Sequence, residues 1–273
     1  MPRISGWNAL TPRRSAPETA AARFELAGTL KTGMAEASDV ASLSGGRFIV
    51  VGDKSDRMTL IGADGKKTDI ELPGLKNGKS QLEGVTYDPV RHHLFVSREE
   101  SRELLRYEWN PDKKTPPVLE KRIDLPDHGP ANKGFEGIAY VPGEVSPTGQ
   151  PQLLLAKEGN PRELSMIGDG GKGKPLPIKL EKEVRAVCKD FSAVTVDPKT
   201  GHMFLSSDES ATVAQIKLVR DGDKIVGKLV QSFPVRNDKG EAMERIEGLS
   251  FNEKGDLFVL TENNGKLHQL DRK

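Results

Sequence analysis

The sequence LEGVTYDP at residues 82–89 recurs as FEGIAYVP at 135–142 and as IEGLSFNE at 246–253. In each copy a glutamate precedes a glycine, and residues with high β-propensity follow. Two divergent copies begin at Ser38 and Ser192, so five copies start at residues 38, 83, 136, 192 and 247. A unit that repeats at this interval is typical of solenoids and propellers, so the repeat decides the fold.

Each copy predicts a first strand, a tight turn and a second strand, because turn residues such as Asp88-Pro89 separate two apolar runs. A third apolar segment follows every copy, and the segments lie at 57–61, 104–109, 163–167, 212–219 and 266–270. A fourth follows the first four copies, at 67–73, 118–126, 175–181 and 225–234. Four antiparallel strands per unit predict the blades of a β-propeller.

The fifth copy ends before a fourth strand, but RFELAGTL at 23–30 belongs to no earlier unit. Pairing this segment with the last copy would close the ring and cover a sheet edge. We therefore predict an all-β fold with five four-stranded blades closed by an N-terminal strand. Six blades are the alternative. The domain prediction is a flexible arm at 1–22 and one propeller domain at 23–273.

Composition excludes several functional classes. Lys and Arg number 41 and Asp and Glu number 40, which gives a formal net charge of +1. This balance gives no electrostatic reason to expect nucleic acid as a partner. No apolar run approaches the roughly 20 residues that span a bilayer, so we predict no transmembrane segment. Cys188 is the single cysteine, which rules out an intrachain disulfide.

Strand direction places two rows of acidic residues on one face of the predicted disc. In an antiparallel meander, the first strand starts at the edge where the second strand ends. The starts of the innermost strands carry Glu83, Glu136 and Glu247, which should approach the mouth of the central channel. The ends of the second strands carry an acid in every copy, namely Asp53, Glu99, Glu158, Asp208 and Glu262.

These rows have two interpretations. Carboxylate oxygens suit Ca²⁺ or Mg²⁺, so Glu83, Glu136 and Glu247 are candidate metal ligands and the second row is a candidate ligand face. Alternatively, the glutamates accept hydrogen bonds from the backbone of the next blade, and the second row caps its own loops. The sequence leaves both open.

The sequence contains no motif for a catalytic nucleophile, a zinc site or a nucleotide-binding loop that would indicate a different functional site. There is no G-x-S-x-G elbow and no H-E-x-x-H sequence. The segment GDGGKGKP at 168–175 has proline in place of the Ser or Thr of a phosphate-binding loop. Cys188 precedes the fourth inner strand and has no general base nearby in the sequence, so we interpret it as a packing residue.

Three stretches resemble the SdiA-regulated family of β-propeller proteins. They lie within FEGIAYVP…QLLLAKEGNPRELSMI, DFSAVTVDPKTGHMFLSSDESATVAQI and RIEGLSFNEKGDLFVLTENNGKLHQL, and the likeness covers roughly residues 25–273. The resemblance implies a propeller that is often periplasmic or otherwise exported, with no settled activity and no catalytic residues to transfer. No leader is visible in the first 23 residues.

Two functions remain as hypotheses. The first is a binding module whose acidic face takes calcium, a polar or cationic ligand, or a protein partner. The second is a calcium-dependent hydrolase of small esters, lactones or phosphoesters. It is based on a weak resemblance to lactonase and phytase propellers, with Asp208 or Glu262 as the base.

Overall fold

The computed structural model describes residues 21–75, 80–125, 134–158, 161–171, 174–262 and 265–273. These residues form twenty strands and one short helix. The N-terminal arm predicted at 1–22 lies outside the described residues except for Ala21 and Ala22.

Five antiparallel meanders follow one another along the chain, each starting at one of the repeats. The first two contain β2 (Ala37–Leu43), β3 (Arg47–Gly52), β4 (Arg57–Ile61) and β5 (Lys67–Glu71), then β6 (Leu82–Asp88), β7 (His93–Arg98), β8 (Glu103–Glu108) and β9 (Val118–Asp124). The third contains β10 (Phe135–Val141), β11 (Gln152–Lys157), β12 (Glu163–Gly168) and β13 (Leu176–Leu180). The third and fourth segments predicted from the apolar pattern are strands in each of these three meanders.

The fourth meander contains β14 (Val194–Val196), β15 (Met203–Ser207), β16 (Thr212–Asp221) and β17 (Lys224–Phe233). The fifth contains β18 (Ile246–Phe251), β19 (Leu257–Thr261) and β20 (Lys266–Arg272). Its fourth strand is β1 (Phe24–Lys31), which pairs with β20 in antiparallel orientation, from Phe24 opposite Arg272 to Lys31 opposite Lys266. The prediction that the N-terminal segment supplies the missing strand of the last sheet is confirmed by this pairing.

Two features of the fourth meander differ from expectation. A helix, α1 (Lys182–Val187), precedes it, and Val184 is the helical residue that is buried. In addition, β13 and β17 pair in parallel through Ile178 and Ile225, which joins the third and fourth meanders into one eight-stranded sheet. The first strand begins at Val194 rather than at Ser192, because Ser192 and Ala193 bond to Ser206 outside the regular ladder.

The core consists of five apolar clusters, and each one lies between two successive meanders. The cluster around Met58 and Tyr107 lies between the first and second meanders, and the one around Phe48 and Phe258 lies between the fifth and the first. The other three fill the intervening spaces. Because each sheet is covered on both faces near the ring, its first two strands are apolar runs with little alternation, whereas outermost strands such as β1 and β9 alternate. The inner strands β2, β6, β10, β14 and β18 contact one another in that order, and β18 contacts β2.

Candidate functional site: an acidic cavity at the ring of inner strands

The glycine of the repeat is required where neighbouring inner strands approach most closely. A Cβ atom on Gly137 would lie 2.8 Å from the backbone nitrogen of Val194, and one on Gly248 would lie 3.1 Å from the Cα atom of Asp39. Neither position has room for a side chain without moving a backbone. The glutamate that precedes each glycine is therefore held at the narrowest part of the ring.

Asp39 occupies the position at which three other copies have glycine, and its side chain links three inner strands. The carboxylate accepts the backbone N–H groups of Val40 at 2.8 Å and of Val85 at 2.9 Å, and it also bonds to the backbone of Leu249. Burial raises the pKa of Asp39 well above its usual range, and these N–H donors lower it again in part. Linking neighbouring strands was the alternative role of the repeat glutamates, and here Asp39 performs it.

Six carboxyl side chains and one serine line a cavity of about 270 Å³ beside the inner strands. The lining residues are Glu99, Glu136, Glu158, Asp190, Ser192, Asp208 and Glu247. The cavity thus brings together two of the three candidate metal ligands and three of the five residues of the candidate ligand face.

The remaining predicted residues lie outside this lining. Glu83 is close enough to Glu99 and Asp53 for their charges to affect its pKa, and its carboxyl group bonds to the side chain of Ser38. Glu262 accepts a 2.5 Å hydrogen bond from Arg245 and forms an ion pair with it. Asp53, Glu83 and Glu262 therefore do not line the cavity, although Glu83 lies close enough to Glu136, and Glu262 to Glu247, for their charges to raise the pKa values of those lining residues.

Burial and mutual repulsion oppose ionisation of the repeat glutamates. Burial, followed by the charges of Asp208 and Glu262, raises the pKa of Glu247 to about 7. Burial, followed by the charges of Glu99 and Asp53, raises the pKa of Glu83 to about 8. At neutral pH both groups therefore hold a proton for a substantial part of the time.

Glu136 lies beside Glu99, and the two carboxyl groups affect each other. Burial and then the charge of Glu83 raise the pKa of Glu136 well above its usual range. Burial also raises the pKa of Glu99, which shares a hydrogen bond with Glu136. The pair is thus arranged so that a proton on Glu136 bridges the two carboxyl groups.

Sequence reasoning missed Asp190, which enters the cavity from the segment after α1. Its carboxylate accepts the hydroxyl hydrogen of Ser207 and the backbone N–H of Glu209. The side chain of Ser192 in turn accepts the backbone N–H of Asp208 at 3.0 Å. The available signal was the departure of this copy from the Glu-Gly pattern, since Asp190 stands two residues before Ser192.

The carboxylates do not form a ready-made metal site. Across the described ranges, no three His, Cys, Asp or Glu side chains form a group that could hold a metal ion. Carboxylate oxygens are suitable ligands for calcium, but the side chains as placed do not fit a bare ion that binds several of them at once.

Among the residues that the structure describes, no helix is long and apolar enough to cross a membrane.

Solved structures with the same overall architecture include enzymes of several kinds. Glutaminyl cyclase from Myxococcus xanthus is 12% identical with a TM-score of 0.61, and the match covers 94% of this chain and 99% of that one. The PQQ-bound aldose sugar dehydrogenase from Streptomyces coelicolor is 14% identical with a TM-score of 0.58, and the match covers 93% and 99% of the two chains.

A putative oxidoreductase (glucose dehydrogenase) from Thermus thermophilus is 13% identical with a TM-score of 0.54, and the match covers 92% of this chain and all of that one. At such identities the likeness shows the fold alone, and that fold is a β-propeller.

The family assignment comes from the sequence itself. The family model described as SdiA-regulated matches residues 77–265, which is more than half of the chain. The matched region begins just before β6 and ends just before β20, so it includes every residue that lines the acidic cavity. This chain belongs to the SdiA-regulated family.

Proposed function

We propose that this chain is a five-bladed propeller that acts as a binding module and takes a cationic ligand in its acidic cavity. The five meanders, the five clusters between them and the return of β18 to β2 support that blade count. A six-bladed ring would need a further sheet between two of these meanders. The observation that carries the functional proposal is the set of six carboxyl groups around one cavity.

The electrostatics of the cavity favour a positive ligand. Among the described residues, its lining contains six carboxyl groups and no lysine, arginine or histidine. The raised pKa values of Glu136 and Glu247 show that the protein itself stabilises the carboxylates poorly. A cation bound between Glu136 and Glu247 stabilises their ionised form and therefore favours release of their protons.

A polyatomic cation is favoured over a bare metal ion because no three of the described acids form a group that could hold a metal. A guanidinium or ammonium group on a short chain can contact carboxylates on different walls without drawing them together. Calcium remains the second candidate, and it would bind with water between the ion and most of the carboxylates. A basic loop of a protein partner offers the same chemistry as the small organic cation.

Isothermal titration calorimetry with agmatine and with calcium chloride tests the proposal. We expect agmatine to bind at low ionic strength and to weaken as salt increases, because the attraction is electrostatic. The Glu136→Gln variant removes one wall carboxyl and should weaken binding. Glu108→Gln, which changes an exposed side chain of β8, should not.

The same titration distinguishes binding in the cavity from binding elsewhere. Titration at about pH 7 in two buffers of different ionisation enthalpy should show proton release, because Glu247 has a pKa of about 7. If neither agmatine nor calcium binds, or if Glu136→Gln binds both as the wild type does, the proposal is wrong.

The calcium-dependent hydrolase remains a second candidate because Glu247 could act as a general acid at neutral pH. The described wall supplies no histidine to activate Ser192 as a nucleophile, so this function would depend on an activated water. p-Nitrophenyl acetate and p-nitrophenyl phosphate, each assayed with and without EDTA, test it. Turnover that EDTA and Glu136→Gln both abolish would support the hydrolase, and absence of turnover on both substrates would count against it.

A further inference from the structure

A second pocket lies at the other end of the inner strands, where each one turns into the next strand. Its volume is about 230 Å³. Leu43 ends β2 there, and Pro89, Pro142 and Pro198 follow β6, β10 and β14. The acidic residues of the first cavity do not line this pocket.

Rigid side chains form the walls of the pocket. The hydroxyl group of Tyr87 donates to the carbonyl oxygen of Trp109 at 3.2 Å and lies 2.9 Å from Nδ1 of His92. Its ring is therefore fixed, and Tyr140 and Phe251 add two more aromatic rings to the wall. Proline rings and fixed aromatic rings lose little conformational freedom when a ligand binds against them.

Three buried hydroxyl groups belong to the polar part of the lining, which also includes Ser42, Ser44, Asn252 and Glu253. Thr86, Thr195 and Ser250 are all more than nine-tenths buried. Thr86 accepts the backbone N–H of Tyr140, and Ser250 accepts the backbone N–H of Ser42, each at 2.8 Å. Within the described residues, none of the three hydroxyl hydrogens is donated to a protein acceptor, and the Thr195 hydroxyl makes no hydrogen bond at all.

The pocket therefore offers donors among apolar walls. A hydroxyl group that only accepts still has one hydrogen to give. No lysine or arginine lines the pocket, and its single carboxylate, Glu253, is exposed at the rim. An anion would therefore lack a counter-charge among the residues that line the pocket.

We propose that this pocket binds a small uncharged aromatic compound through its ring and one acceptor oxygen. The ring packs between the proline and tyrosine side chains, and the oxygen accepts a hydrogen bond from the hydroxyl group of Thr195. This site is separate from the acidic cavity, so both can be occupied together.

Acetophenone is the probe, and ethylbenzene is its matched control without the acceptor oxygen. Titration of ¹⁵N-labelled protein, followed by amide chemical shifts, should show acetophenone displacing the signals of Thr86, Thr195 and Phe251. Ethylbenzene should bind more weakly, and benzoate, which is an anion, should not shift these signals.

Thr195→Val tests the role of the hydroxyl group, because it keeps the shape of the side chain and breaks no protein hydrogen bond. We expect the dissociation constant of acetophenone to rise by roughly threefold to tenfold, the usual effect of one hydrogen bond. Thr195→Ser should restore binding. Thr68→Val, on an exposed strand position, should leave it unchanged.

The affinity of ethylbenzene should be the same in the wild type and in Thr195→Val. Equal affinities of the wild type for acetophenone and ethylbenzene would overturn the proposal. So would shifts confined to residues outside the pocket, or no shift with either compound at millimolar concentration.

Discussion

Replacing Glu83 by glutamine should make the stability of the protein less dependent on pH. Burial, Glu99 and Asp53 raise the pKa of Glu83 from 4.5 to about 8 in the folded protein. Between these values the folded state binds more protons than the unfolded state. The free energy of unfolding therefore falls as pH rises through this window and levels off above about pH 8.

The magnitude follows from the size of the shift. Each pKa unit corresponds to about 1.4 kcal/mol, so full ionisation of Glu83 costs at most about 5 kcal/mol. Water reaches part of this half-buried side chain, and we expect about 2–4 kcal/mol. Glutamine has nearly the same shape and carries no charge at any pH. The variant should match the wild type near pH 4 and exceed it by this amount near pH 9.

Urea denaturation at several pH values from about 5 to 9, in buffer with chelator, measures the difference. Glu108→Gln is the control, because that carboxyl group is exposed on β8, and its difference from the wild type should not change with pH. A Glu83→Gln difference that is the same at both ends of the range would refute the argument. A variant less stable than the wild type near pH 9 would also refute it.

Three further predictions concern the ring and the thiol. Gly137→Ala should destabilise the fold by about 1–3 kcal/mol in urea denaturation, whereas Gly28→Ala, with no atom within 4 Å of the new Cβ, should change stability by less than about 1 kcal/mol. Asp39→Ala removes the acceptor of the backbone N–H groups of Val40, Val85 and Leu249 and should cost about 2–5 kcal/mol, with Asp39→Asn costing less. Burial raises the pKa of Cys188 to about 12, so iodoacetamide should label it, by mass spectrometry, after unfolding and not before.

The strand pattern was predictable because each sheet is covered on both faces. Apolar runs and turn residues located the third strand at 57–61 and the N-terminal strand at 23–30 to within one or two residues of β4 and β1. The parallel pairing of Ile178 with Ile225 was not predictable, since it joins segments about fifty residues apart that have no common pattern. The helix at 182–187 was missed because only Val184 is buried in it, which leaves almost no periodic signal.

The sequence indicated that acidic side chains would form the site, but it identified only some of the residues that line the cavity. Strand direction predicted that Glu99, Glu136 and Glu247 lie on one face, and these three residues line the same cavity. It could not exclude Glu262, which forms an ion pair with Arg245 just before β18, the inner strand of the same meander. When the copies are aligned, Ser38 stands where three copies have glutamate. The alignment therefore gave no reason to single out Asp39, the residue after it, which links the inner strands.

The glycines of the repeat help to explain why the glutamates beside them have raised pKa values. A glycine at positions such as 137 and 248 lets neighbouring inner strands approach until no Cβ atom fits, and the preceding glutamates are then held near one another. That closeness, with burial, raises their pKa values, so the unliganded cavity keeps protons that a cation would displace. The strands can pair without the Glu-Gly sequence, because two of the five copies lack it. In those copies Ser38-Asp39 and Ser192-Ala193 stand in its place.

If a cation binds in the cavity as proposed, the pH dependence of stability and the protons released on binding have the same source. The carboxyl groups that take up protons on folding are the ones that must lose them when a cation enters. Glu247→Gln should reduce both the slope of stability with pH and the number of protons released with agmatine, because Glu247 lines the cavity and its pKa is raised to about 7. If it reduced the slope and left proton release unchanged, the cation would be bound away from the repeat glutamates, and the acids would serve the ring alone.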